Sequence, residues 1–160
     1  MARRRAAGLL MYRVRDGVAE VLLAHPGGPL FAKKDDGFWT IPKGEYDDDE
    51  DALVAARREF QEETGWAARE PFVPLGEIKQ KGGKIVRAWA CAGDGDPAAL
   101  VSNTFEMEWP PHSGRVQSFP EVDRCAFFTF EDAERKIKDR QTPFLRALRE
   151  HLSKSGPQNR

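Results

Sequence analysis

The stretch Gly44-Glu45-Tyr46-Asp47-Asp48-Asp49-Glu50-Asp51-Ala52-Leu53-Val54-Ala55-Ala56-Arg57-Arg58-Glu59-Phe60-Gln61-Glu62-Glu63-Thr64-Gly65-Trp66 decides how this chain is read. From Ala52 to Thr64 it holds no Gly or Pro, and Leu53, Ala56 and Phe60 recur at helical spacing. Asp51 suits the N-cap, the acidic run Asp47–Glu50 lies just before the positive end of the helix, and Gly65 supplies a left-handed stop. At roughly 100° per residue, Glu59, Glu62 and Glu63 fall within an arc of about 100° on one face, shared with the small residues Ala52 and Ala55. Like charges at these spacings repel. A divalent cation removes the penalty, and magnesium favours a few carboxylates together with substrate phosphates. Taken alone, the cluster would more readily be a solvated acidic face balanced by Arg57 and Arg58.

The surrounding residues decide against that plainer account. Gly44, Glu50, Arg58-Glu59, Glu62-Glu63 and Gly65, with bulky apolar Phe60 and Trp66, stand at the spacings of the Nudix box without a gap. The chain therefore resembles the Nudix hydrolase superfamily, the MutT-like enzymes. The resemblance implies an α+β fold: an α/β/α sandwich with a mixed sheet, in which the box forms a loop-helix-loop. It implies that Glu59, Glu62 and Glu63 bind Mg2+, with Mn2+ as a substitute, and that Gly44, Glu50, Arg58 and Gly65 shape the box. Glu50 and Arg58 are expected to pair, Phe60 to face the core, and Trp66 to anchor the segment that follows.

Working outward, residues 7–14 and 18–25 read as strands around Asp16-Gly17, a strong hairpin signal. Pro26-Gly27-Gly28-Pro29 breaks the pattern, Lys33–Gly37 is a polar loop, and Phe38–Ile41 reads as a short strand stopped by Pro42. Strand signals return at Pro74–Gln80 and Lys84–Cys91 around Lys81-Gly82-Gly83. Residues 92–120 are rich in Gly, Pro, Asn and Ser and are expected to include a long loop around Trp109-Pro110-Pro111-His112. Val122–Thr129 is a further strand, followed by helices over Phe130–Lys136 and Pro143–Leu152, and the polar tail 153–160 is expected to fray. No repeat or linker divides the 160 residues, so a single domain over 1–160 is expected.

Apolar residues make up 40% and charged residues 32%, with a formal net charge of -1. This is a globular profile lacking the basic footprint of a protein built to hold long nucleic acid. Cys91 and Cys125 form no spaced framework, and free thiols in a reducing compartment are expected. The opening Met1–Tyr12 superficially resembles a signal peptide, but Arg13 and Arg15 end its apolar run and no small-residue cleavage site follows. No stretch approaches a membrane span. The expected location is the cytoplasm, and a homodimer is left open.

The resemblance implies water attack on phosphorus of a diphosphate, with a carboxylate accepting the proton. Glu59 and Glu121, the latter just before the expected strand Val122–Thr129, are the two candidates. Glu106 and Glu108 are weaker versions of Glu121. Lys43, Lys79, Lys81, Lys84 and Arg87 are candidate phosphate partners. Trp89, Phe105 and Trp109 could stack on a base, although Trp89 suits a core. The expected substrate is a nucleotide, first a dinucleoside polyphosphate such as diadenosine tetraphosphate, since Lys79, Lys81 and Lys84 precede an aromatic-bearing strand. Against that branch, Gly82-Gly83-Lys84 stand where its members often carry a tyrosine. Lys81 replaces the proline expected of ADP-ribose pyrophosphatases. A nucleoside triphosphate, a nucleotide sugar or a capped RNA 5′ end is the alternative substrate, and a non-catalytic nucleotide sensor the alternative role.

Overall fold

A computed structural model describes residues 4–155. Strands β1 (Arg5–Arg15) and β2 (Val18–Pro26) form the expected hairpin, with Asp16 at φ 52° and Gly17 at φ 79°. Two consecutive positive φ values match the twist of the paired strands, which is why Asp-Gly serves here. On its other side β1 runs parallel to β5 (Ile85–Ala92), and β5 pairs antiparallel with β4 (Val73–Lys79). β8 (Val122–Thr129) pairs with β2, so the main path is β4-β5-β1-β2-β8 and the sheet is mixed.

Burial on both faces explains why β1 reads as a continuous apolar run. Ala7, Leu9 and Met11 pack under α1 (Ala52–Thr64) with Ala52, Ala55, Ala56, Phe60 and Trp89. Ala6 and Leu10 face the other way, against Phe130 and Ala133 of α2 (Phe130–Lys136) and Phe144, Leu145 and Leu148 of α3 (Thr142–Ser155). The result is the α/β/α sandwich that the box implied. α1 starts and stops where the local signals place it: Asp51 accepts from the Val54 N–H at 3.1 Å, and Gly65 at φ 80° donates to the Gln61 carbonyl.

Two expectations need correction. Phe38–Ile41 is no strand; Trp39 and Thr40 make only isolated bridges, to Ile137 and Ala24. Trp39 and Ile41 are buried, and apolarity there reflects burial without ladder pairing. The strand in this region is β3 (Lys43–Glu45), one turn later, paired antiparallel with Ala6–Gly8 of β1. The expected loop around Trp109–His112 is present, as the tip of a separate hairpin of β6 (Thr104–Glu108) with β7 (Val116–Pro120). α3 continues through Ser155, past the expected end at Leu152, because Ser153 and Lys154 stay tied to Glu150; residues 156–160 lie outside the described residues.

Candidate active site

The box closes on itself through Arg58. Its guanidinium holds Glu50 in a two-point pair, Nε to Oε2 at 3.1 Å and Nη2 to Oε1 at 3.0 Å, which ties the acidic loop to the helix. Nη1 donates to Glu59 at 2.8 Å and reaches Glu62 at 3.4 Å. These partners hold the Arg58 pKa above its ordinary value, the Glu50 bonds contributing most. The same arginine that braces the loop therefore also gathers two of the three box carboxylates.

β3 supplies the opposite wall. A Cβ on Gly44 would run into the Glu59 carboxylate, so glycine is needed for close approach, not for a left-handed turn. The Lys43 N–H donates to Glu63 Oε1 at 3.2 Å. Glu59 and Glu63 thus extend the buried face of α1 beyond Ala52, Ala55 and Ala56, and they lose water. Burial raises Glu59 above the usual carboxylate range despite Arg58, and pushes Glu63 up to about 8. Glu59, Glu63 and Glu121 also repel one another. Among the described residues no three acidic, His or Cys side chains form a ready-made metal cage. The donor set nonetheless fits a hard divalent cation: clustered carboxylates, two of them desolvated and lacking enough positive charge.

Glu121 reaches this site through backbone bonds that no local pattern announces. Val101 N–H donates to the Thr64 carbonyl, and Asn103 N–H to that of Glu62 at 2.7 Å. Asn103 in turn accepts from Glu121 N–H at 2.8 Å, and the Glu121 carbonyl accepts from Gly27 N–H at 2.9 Å. The end of α1, the segment before β6 and the start of β8 are laced together. Glu106 and Glu108 lie on the exposed β6, where Glu108 accepts from the Gly114 N–H.

The basic residues do not gather as one set. Lys43 is half-buried, and its pKa is brought down to about 8 by loss of water and repulsion from Lys84 and Lys138, against the attraction of Glu63. Lys84 meets Glu45 at 3.0 Å. Lys79 and Lys81 are exposed on the β4–β5 hairpin. Arg87 lies over the Trp89 ring at 5.0 Å, on the α1 side of β5. Trp89 is core, as expected. Phe105 packs on Phe119 of β7, and Trp109 sits half-buried at the tip of that hairpin. Trp66 stacks on Phe127 at 6.4 Å, fixing the chain after the box. Lys138 escaped the sequence reading because a single Lys after a short helix carries no signal.

The NUDIX domain family model matches residues 2–148. A comparison with curated proteins finds no match. Among solved structures, an Ap4A hydrolase from C. elegans, in a binary complex, is 27% identical over 94% of this chain and 98% of its own, with a TM-score of 0.62. A mutT/nudix family protein from Listeria innocua is 19% identical over 96% of each chain, at a TM-score of 0.63. The NUDIX domain of Shewanella oneidensis NrtR, complexed with ADP ribose, is 15% identical over 95% of this chain and 90% of its own, at 0.66. The last two likenesses speak for the fold alone. No helix among the described residues is long and apolar enough to cross a membrane. The assembled box and a family model spanning nearly the whole chain lead to one conclusion: the chain belongs to the NUDIX domain family and is a hydrolase of pyrophosphate bonds.

Proposed function

We propose that this Nudix hydrolase cleaves a phosphoanhydride bond in a dinucleoside polyphosphate such as diadenosine tetraphosphate, with Mg2+ held by Glu59, Glu62 and Glu63. The observation that carries the reading is the desolvated carboxylate face of α1 lying directly against Lys43 of β3. A bound divalent ion would supply charge neutralisation for phosphate oxygens and a lower pKa for the attacking water. Arg58 keeps Glu59 and Glu62 oriented toward one point, at the 2.8 and 3.4 Å contacts above. Lys43 presents positive charge near Glu63, and its ammonium would hold a phosphate of the substrate there.

Glu121 is the better proton acceptor. Glu59 is engaged by Arg58, whereas the Glu121 side chain has no ion pair among the described residues and is exposed to water. The C. elegans likeness supports the polyphosphate choice, at an identity that leaves the two end groups to experiment. The test is a panel of diadenosine tetraphosphate, ADP-ribose, a nucleoside triphosphate and a capped oligonucleotide, assayed with Mg2+ and then Mn2+, products separated by mass. Highest kcat/KM on the dinucleotide, abolished in Glu62→Gln and Glu63→Gln, is the expected result. Preference for another arm overturns the substrate. Equal turnover in the variants overturns the metal ligands, and tight nucleotide binding without turnover indicates a sensor.

A further inference from the structure

Lysines from three separate elements converge beside the carboxylate site, one of them with no place in the reading above. Lys43 stands on β3 opposite Gly8, where a Cβ on Gly8 would press against the Lys43 stem. Lys84, the residue before β5, reaches Glu45. Lys138 follows α2, with its backbone N–H fixed to the Trp39 carbonyl at 2.8 Å. Gln141 closes the arrangement: its Oε1 accepts from the Ile41 N–H, and its Nε2 donates to Gln80 Oε1, both at 3.0 Å. The segment after α2, the segment leading into β3 and the β4–β5 hairpin are thereby locked together, with a lysine on each.

The charge balance around them is unfinished. Glu45 pairs with Lys84 and also lies 3.7 Å from Arg4, so it is shared. Neither the Lys43 nor the Lys138 ammonium has a hydrogen bond or ion pair among the described residues; Glu63 meets the Lys43 backbone N–H instead. Burial lowers both ammonium pKa values, and Lys84 repels each of them. Holding two unpartnered ammonium groups beside a third on locked elements costs stability, and an anion with several charges would recover it.

We propose that Lys43, Lys84 and Lys138 form a polyphosphate subsite, with Lys138 holding the phosphates of the substrate beyond those at the carboxylates of α1. It rests on the preceding reading of the active site and deepens it by making chain length the property selected. A substrate with four phosphates reaches this subsite; one with two does not.

The probe is inorganic tripolyphosphate, titrated calorimetrically into the full chain, so that binding is read without turnover. Lys138→Ala is expected to weaken binding about tenfold, Lys138→Gln similarly, and Lys138→Arg little, since each charged contact is worth about that much. Lys154→Ala, which removes the same charge from the exposed end of α3, is expected to leave affinity unchanged. In hydrolysis, Lys138→Ala should raise KM for diadenosine tetraphosphate about tenfold and leave KM for ADP-ribose unchanged. Absence of tripolyphosphate binding by wild type, unchanged affinity in Lys138→Ala, or an equal loss in Lys154→Ala overturns the subsite. Should the enzyme prefer another substrate while Lys138→Ala still weakens tripolyphosphate, the substrate reading fails and the subsite stands.

Discussion

Gly44→Ala separates what the box does for the site from what it does for the fold. The backbone at Gly44 lies outside the left-handed region, so alanine meets no strain there, but its Cβ collides with the Glu59 carboxylate. That carboxylate ends a flexible side chain and is only 12% exposed, so it must turn away within a confined space. An off-rotamer side chain costs about 0.5–1.5 kcal/mol. The weakened bond to Arg58 adds at most about 1.5 kcal/mol, because Arg58 is 38% exposed and solvent screens it. Removing a glycine from the unfolded chain returns about 0.4–1 kcal/mol. The net loss lies between about zero and about 2.5 kcal/mol, a midpoint shift of at most roughly 10 °C for a chain of this size. Activity should respond far more, since a displacement of about 1 Å in a reacting group can cost about a hundredfold. The assay is kcat/KM at saturating Mg2+ beside thermal unfolding. Gly17→Ala, in open space at φ +79°, is the control that loses stability and keeps kcat/KM. Wild-type kcat/KM in Gly44→Ala would refute the reasoning, because the displaced Glu59 would then not matter to the reaction.

Glu121→Gln should lower kcat by about 10²–10⁴, the range for losing a general base, while Glu106→Gln on the exposed β6 leaves it unchanged in the same assay. Without metal, the folded state keeps Glu63 protonated up to about pH 8 while the unfolded carboxyl ionises near pH 4.5. This group's stabilisation is complete at low pH and lost as pH rises through 8, so denaturant titrations should show wild type losing stability relative to Glu63→Gln across that window. Mg2+ at a hundredfold its dissociation constant should add about 2.7 kcal/mol and be retained best at the alkaline end; a midpoint indifferent to Mg2+ would contradict the proposed ligand set. Cys91 and Cys125 are buried free thiols raised to about 11 by burial, so neither should react with a disulfide reagent at pH 8 until the chain is unfolded.

The sequence exposes α1 to the residue because its signals are local: Asp51 caps three residues on, and Gly65 stops the helix with its own φ. Asp16-Gly17 is legible for the same reason. The β6–β7 hairpin is harder to see. Thr104-Phe105-Glu106-Met107-Glu108 alternates, but its ladder forms a small sheet apart from the core, and neighbouring Pro and Gly obscure it. Phe38–Ile41 misleads in the opposite sense, since burial alone made it apolar. Spacing places Glu59, Glu62 and Glu63 on one face, and the resemblance to the Nudix box implies the Glu50–Arg58 pair that forms. The approach of Glu121 depends on backbone bonds from residues 101–103, and the placement of Lys138 on Gln141 reaching across the fold to Ile41. Neither leaves a period in the sequence.

The arrangement of charge explains why these groups stay available. Two sets of like charges face each other across Lys43: Glu59, Glu63 and Glu121 on one side, and Lys84 and Lys138 on the other. The Lys43 ammonium and Glu63 attract each other without forming an ion pair, so each set is only partly satisfied by the other. Glu63 accepts from the Lys43 backbone N–H, and the attraction of the Lys43 ammonium offsets the cost of burial only in part. Burial therefore lifts the acid and depresses the base, and both costs persist in the free protein. A lone metal ion would relieve the first set and a lone anion the second. A ligand that brings a divalent cation on a chain of phosphates relieves both at once, so the two halves should bind cooperatively through the strand that Lys43 occupies. On the proposed reading, a metal-bound polyphosphate should therefore bind better than either component alone, because it meets the carboxylates and the lysines together.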